Sequence, residues 1–407
     1  MSTPGGLQRR LGTFDAVTIG LGSMIGAGIF AAIGPAAAAA GSGLLIGLAL
    51  AAVVAYCNAT SSARLAAIYP QSGGTYVYGR ERLGDFWGYL AGWSFVVGKT
   101  ASCAAMALTV GSYAWPEHAN AVAVGAVVAL TAVNYVGVQK SAVLTRVIVA
   151  VVLAILATVV VVVLLGSGDA DAARLSLGDD VSAVGVLQAA GLLFFAFAGY
   201  ARIATLGEEV RDPARIIPRA IRIALGLTLV VYAVVAGAVL AVLGGADLAG
   251  ATAPLADAVA AVGAGQWQPL VRAGAAIAAL GSLLALILGV SRTTLAMARD
   301  HHLPSALGAV HSRFGVPHRA EVTVGVVVAV LAAVADLRGA IGFSSFAVLL
   351  YYTIANASAA TLGRRLIPAV GLVGCLVLAF TLPLSSVLAG LAVVAVGAVV
   401  YGVRRVS

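Results

Sequence analysis

Long apolar runs, separated by short polar stretches, fill the chain from end to end. A helix needs about 20 apolar residues to cross the hydrocarbon core of a bilayer. Twelve spans of that kind are predicted, near 14–40, 43–66, 86–114, 119–137, 142–165, 183–206, 218–243, 269–290, 321–336, 340–361, 367–382 and 385–402. The ninth and eleventh are short. An even number of spans returns both termini to the same side.

Composition makes the membrane reading firm. Of 407 residues, 61% are hydrophobic and 10% charged, and the mean hydropathy is +1.04. A soluble domain carries about 25% charged residues, so this chain lacks the polar residues to cover a surface in water. It is expected to be an all-α integral membrane protein with the lipid bilayer as its surroundings. The first ten residues are polar and end in Arg9-Arg10, which gives no cleavable signal peptide. Cys57, Cys103 and Cys375 lie far apart in apolar spans, which offers neither a disulfide framework nor a metal site. No cofactor is expected.

The net charge of +8 is explained by its distribution. Nineteen of the 24 Lys and Arg fall in the termini and loops of one side. The opposite loops hold Arg174, Arg272 and Arg338, and Lys99 and Arg202 lie inside spans. Positive charge concentrates in the cytoplasm, so both termini are assigned there, with residues 1–13 as a cytoplasmic tail and the inner (plasma) membrane as the location. A nucleic-acid partner would need a soluble basic domain, and none is present. The outward loops are short, with Asp169, Asp171, Asp179 and Asp180 between spans five and six.

The first span contains "GLGSMIGAGIF", with glycine at 20, 22, 26 and 28. Gly22 to Gly26 forms a GxxxG, which lets two helices approach closely. A nucleotide-binding loop is excluded because the strand–turn–helix setting is missing. A third reading is a deliberate break. Broken backbone at membrane depth is tolerated where it lines a cavity, and its free N–H and C=O groups then bind polar ligands. Transporters built from inverted repeats place two such breaks at corresponding positions. If five spans form a repeat, the counterpart of span one is span six, where Phe194–Gly199 again clusters aromatic and small residues. Spacing alone leaves packing and breakage both open.

Four ordered motifs carry a resemblance: the glycine run of span one, "YPQSGGTYVYGRERLGDFWGYLAGW" (Tyr69–Trp93), "GEEVRDPARIIPRAI" after span six, and "SRTTLAMARDHHLP" (Ser291–Pro304). Together they resemble the amino acid–polyamine–organocation (APC) superfamily of permeases. The resemblance implies a LeuT-like fold, with 14–165 and 183–361 as inverted repeats and 367–403 as two extra helices. It also implies carriage of amino acids or related amines by alternating access. By this analogy, N–H groups of Gly26, Ala27 and Gly28 receive the substrate carboxylate, as a helix N-terminus suits an anion. Carbonyls of Ser23, Met24, Phe195, Ala196 and Ala198 receive its ammonium. Phe195 matches an aromatic gate, whereas Phe194 and Phe197 are assigned to packing.

Energy coupling turns on Lys99. An ionisable residue inside a span costs at least about 2.5–3.5 kcal/mol to insert and marks a pathway. Lys99 shares a helical face with Ser102, Cys103 and Met106, and no Asp, Glu or His lies at comparable depth. Burial disfavours the charged form of an amine, which suits a group that exchanges a proton. Some relatives carry a lysine in span five, and here Val152 stands near that position. Lys99 is therefore the candidate for proton coupling. Gly281 and Ser282 match positions that supply oxygen ligands in sodium-coupled relatives, but few other oxygen side chains accompany them. Arg202 is read as snorkelling to the surface or pairing with Glu208 or Glu209. Asp212-Pro213 reads as a helix start, Gly73-Gly74 as a turn, and Glu208, Glu209, Arg211, Arg299 and Asp300 as gate ion pairs or solvated helix ends.

An embedded enzyme lacks its groups, since there is no HExxH, no GxSxG and no pair of deep carboxylates. The expected function is secondary active uptake of neutral amino acids with protons. A substrate/product exchanger and a non-transporting sensor are the alternatives.

Overall fold

The computed structural model describes residues 11–69, 73–137, 142–166, 171–178, 181–204 and 209–406. Lys140, Asp169, Asp179, Asp180 and Glu208 lie outside them. The first predicted span is divided into α1 (Thr13–Met24), α2 (Ala27–Ala31) and α3 (Ile33–Ala40). Next come α4 (Leu44–Ile68), α5 (Thr75–Leu83), α6 (Asp85–Ala114), α7 (Ala119–Tyr135) and α8 (Ala142–Leu165). The second half has α9 (Ala183–Phe197), α10 (Ala201–Ala204), α11 (Pro213–Gly250), α12 (Pro254–Ala261), α13 (Gln268–Arg299), α14 (His318–Val334) and α15 (Leu337–Ala360). The chain ends in α16 (Leu366–Thr381) and α17 (Leu384–Val406). Among the described residues, ten helical stretches are long and apolar enough to cross a membrane. The ninth and eleventh predicted spans are α14, of 17 residues, and α16, of 16.

Lipid is as apolar as leucine, so helices associate in it by close packing of small residues and by polar ties. The buried positions accordingly run to alanine, and glycine marks the tightest approaches. On α8, buried Val149, Val152, Leu156, Val159 and Val163 recur at helical spacing, while Val147, Val151, Val161 and Leu164 are exposed as a lipid-facing stripe. Predicted element ends have local causes. Gly244 leaves the helical region at φ 69° within α11, next to the expected end of span seven. Asp212 is the N-cap of α11 with proline at its first turn, although its side chain makes no capping bond. Asp336 and Ser182 do cap, accepting from Gly339 N at 2.8 Å and Gly185 N at 3.0 Å.

Polar contacts mark both ends of α6, a helix of 30 residues, or about 45 Å. At one end the Asp85 carboxylate accepts from the Tyr401 hydroxyl at 2.9 Å. At the other, the carbonyl of Tyr113 accepts from Arg272 at 3.2 Å. All three arginines of the sparse side make this kind of contact. Arg174 donates to the carbonyl of Val242 and Arg338 to that of Ala249. They cap helix-end carbonyls, which the helix dipole favours.

Two short helices are additions to the sequence reading. Gly73 and Gly74, at φ 132° and 57°, do form the expected turn, but it starts α5. α12 lies in the loop after α11. Of the residues read as gate ion pairs or solvated helix ends, Asp300 pairs with Arg80 on α5 at 2.8 Å. The same carboxylate accepts from Tyr76 at 2.6 Å. The backbone of Glu209–Arg211 instead zips to Leu11, with Leu11 N donating to Glu209 O at 3.0 Å and Arg211 N to Leu11 O at 3.1 Å. Glu321, in the first turn of α14, is completely buried.

Candidate functional site

Two interruptions meet in the middle of the bundle. After Met24, Ile25 (φ −79°, ψ 24°) and Gly26 (φ −76°, ψ −118°) leave the helix, and α2 begins at Ala27. The second interruption is milder. α9 ends at Phe197, Ala198–Tyr200 tighten into a 3₁₀ turn, and α10 resumes at Ala201. Such a turn inside a helix is a common hinge. The breaks touch backbone to backbone: a Cβ on Gly199 would collide with the Ser23 carbonyl, and one on Gly28 would lie 2.6 Å from Ala196 Cα.

These distances separate the roles of the span-one glycines. Gly20 packs under Ile203 and Ala224, and Gly22 against Val149. A Cβ on Gly26 would collide with the Ser282 hydroxyl of α13. That hydroxyl donates to the carbonyl of Gly22 at 3.2 Å and ties α13 across the break. Gly26 and Gly28 thus combine close approach with the break itself.

All eight residues assigned to the substrate by analogy, Ser23, Met24, Gly26, Ala27, Gly28, Phe195, Ala196 and Ala198, fall at these interruptions. Ser23 is half-buried and the others are buried. Several of their carbonyls already hold protein donors. Phe195 O accepts from Ala198 N. The hydroxyl of Tyr232, on α11, lies 2.5 Å from Met24 O and 3.1 Å from Ala196 O. One phenolic hydrogen thus stands between two carbonyls, one from each broken helix. Tyr232 was not anticipated; a tyrosine mid-span at position 232 is the only sign the chain offers, since a buried phenol needs a partner. Phe194 and Phe197 are fully buried and pack edge-on to Tyr352 and against Tyr232, at 5.8 and 5.3 Å between centroids.

Lys99 reaches the same place from α6. Gly98 packs its helix against Ala347 of α15, and Ser102 lies 2.6 Å from Ser344 through their hydroxyls. That fixes the rotation of α6 and turns Lys99 inward. The side chain is buried, and its Nζ donates to Ala198 O at 3.3 Å, on the second interruption. The span-five position behaves differently. Val152 lines a cavity of about 10 Å³ with Gly22, Ile25, Gly26, Ile148, Val149 and Ala278. Its side chains are apolar, backbone polar atoms reach it, and it has room for about one water. An amino acid does not fit there. Arg202 is exposed on α10.

Comparison with known proteins adds the family. The family model described as amino acid permease matches residues 15–401. An uncharacterized transporter of Mycobacterium tuberculosis is 74% identical, covering 99% of this chain and 93% of that protein. A branched-chain amino acid permease of Bacillus subtilis is 27% identical over 81% of this chain and 76% of its own length. The chloroplastic cationic amino acid transporter 7 of Arabidopsis thaliana is 27% identical over 86% of this chain and 65% of its own.

Proposed function

Because the chain belongs to the amino acid permease family, and is thus a multi-pass membrane transporter, we propose that it takes up neutral amino acids together with protons by alternating access. The observation that carries this reading is the Lys99–Ala198 hydrogen bond, which puts a buried amine on the backbone of the second break. A substrate ammonium needs carbonyls of the kind found at Met24, Ala196 and Ala198, and its carboxylate needs N–H groups at the start of α2. Protonated Lys99, anchored on Ala198 O, adds a positive charge that favours the substrate carboxylate; deprotonated, it loses that charge, so proton and substrate favour each other's binding. Tyr232 acts as a pin that keeps the two half-helices together while the site is empty.

A cationic side chain would meet the Lys99 charge in this pocket, and like charges close together in a low dielectric repel strongly. This favours neutral substrates of the type named for the Bacillus relative over those named for the Arabidopsis one. Sodium is disfavoured, since no side chain lining the adjoining void carries an oxygen ligand. The excess of basic residues on one side supports cytoplasmic termini in the plasma membrane as part of this reading. The test is a panel of labelled neutral and cationic amino acids in proteoliposomes, with and without a pH gradient. Accumulation of neutral substrates driven by inward proton flow is expected. Exchange without any response to the gradient would make the protein an exchanger, and binding without flux would make it a sensor.

A further inference from the structure

Glu321 is a carboxyl that the transport reading does not use. It is fully buried, and neither of its oxygens has a hydrogen-bond partner among the described residues. Two polar atoms of the same helix contact are equally bare, the Thr131 hydroxyl on α7 and His318 Nδ1 on α14. Their register is defined by the packing of the two helices. Gly325 of α14 abuts Thr131, a built Cβ lying 3.1 Å from Thr131 Cβ. One turn along, the His318 ring is 6.3 Å from that of Tyr135. Residues 318, 321 and 325 share a helix face, so Glu321 stands opposite the turn between Thr131 and Tyr135.

An ionised carboxylate buried without donors or a counter-charge is strongly unfavourable, and such a group neutralises. Among the described residues no counter-charge is paired with it. On α13 the acting charge is Arg292, which is exposed and makes no ion pair with Glu321 among the described residues. α7 contributes the Tyr135 phenol and Asn134, whose amide is bonded to Leu284 O at 3.1 Å. The Lys99 amine of α6, which also packs on α14, is bonded to Ala198. The segment Ser305–Gly308 brings no titratable group. On α14 itself, Arg319 is exposed. In the preceding loop, Arg313 stacks on Phe314.

We propose that Glu321 is a second proton-binding site, filled in this packing. The imidazoles of His318 and His311, 5.4 Å apart, are its exchange route to the nearby surface. His318 lies one turn closer to the helix start on the same face, and its bare Nδ1 can take the proton as the carboxyl O–H breaks. This leaves a carboxylate and an imidazolium; passage of that proton onward returns the imidazole to neutral and leaves the carboxylate empty, and the reverse transfer refills it. The site lies in the α7–α14 contact, apart from the broken helices, and requires no particular substrate.

The test therefore uses none. Infrared difference spectra of the purified protein in liposomes, titrated from acid to alkali, should contain the carbonyl stretch of a buried protonated carboxylic acid. It should persist at neutral pH, vanish on alkalinisation and be missing in Glu321→Gln. Glutamine mimics the neutral acid, so that variant should keep the wild-type melting temperature in acid and lose less of it in alkali. Absence of the band from the wild type at neutral pH would overturn the proposal without any variant. Persistence of the band in Glu321→Gln, or parallel melting of the two proteins at all pH, would do so as well.

Discussion

Single residues in this protein act through backbone oxygens. Tyr232 lies within hydrogen-bond distance of Met24 O and Ala196 O. Interhelical hydrogen bonds in membrane proteins contribute about 0.6 kcal/mol on average, so Tyr232→Phe should fold. Its uptake rate should fall about tenfold, the equivalent of roughly 1.4 kcal/mol, with the change in kcat exceeding that in KM. Initial-rate kinetics in proteoliposomes check this. At the cytoplasm-assigned end, burial alone would push the Asp300 carboxyl up. Hydrogen bonds from Tyr76 and Arg80, with the positive charge of Arg80, outweigh this and hold it below its usual value. A carboxyl held low stabilises the fold above its unfolded-state value, and the contribution is lost as pH falls through the lower folded-state value. The pair is partly exposed, so Asp300→Asn should cost about 1 kcal/mol at neutral pH. The difference from wild type should shrink in acid, as thermal melts in detergent across pH would record.

At the scale of helices, the glycine run resolves into two kinds of site. Sequence could not separate them, because a close approach and a break both call for a residue without Cβ. Only the partner surfaces decide: Ile203 and Ala224 for Gly20, Ser282 for Gly26, Ala196 for Gly28. Alanine at Gly20 presses on the side chain of Ile203, which can shift, whereas at Gly28 it presses on backbone. Overpacking costs about 1–3 kcal/mol, so both variants should lose stability. Gly28→Ala should in addition lose substrate binding, and Gly20→Ala should retain it. Ligand binding measured alongside melting temperature distinguishes them. The milder second break was legible only as a cluster of aromatic and small residues. Its Gly199 serves contact with Ser23 O more than chain reversal. The short helices α5 and α12, of nine and eight residues, escaped because neither has an apolar run of membrane length.

At the scale of the whole molecule, the spans were legible because lipid imposes length and apolarity on each of them. The side preference rests on the basic residues of the sequence alone, and the three arginines of the sparse side cap helix ends. What the chain could not announce was which distant side chains meet. Lys99 and Ala198 are 99 residues apart, and Tyr232 is 208 from Met24. The central claim is that the Lys99 amine, anchored on Ala198 O, links a proton to the substrate site. Lys99→Met keeps the bulk of the side chain and removes the charge. Accumulation of a labelled neutral amino acid by proteoliposomes, driven by a pH gradient and compared with counterflow in the same vesicles, tests the claim most directly. Lys99→Met is predicted to retain counterflow and to lose gradient-driven accumulation. Accumulation at the wild-type level by Lys99→Met would contradict it.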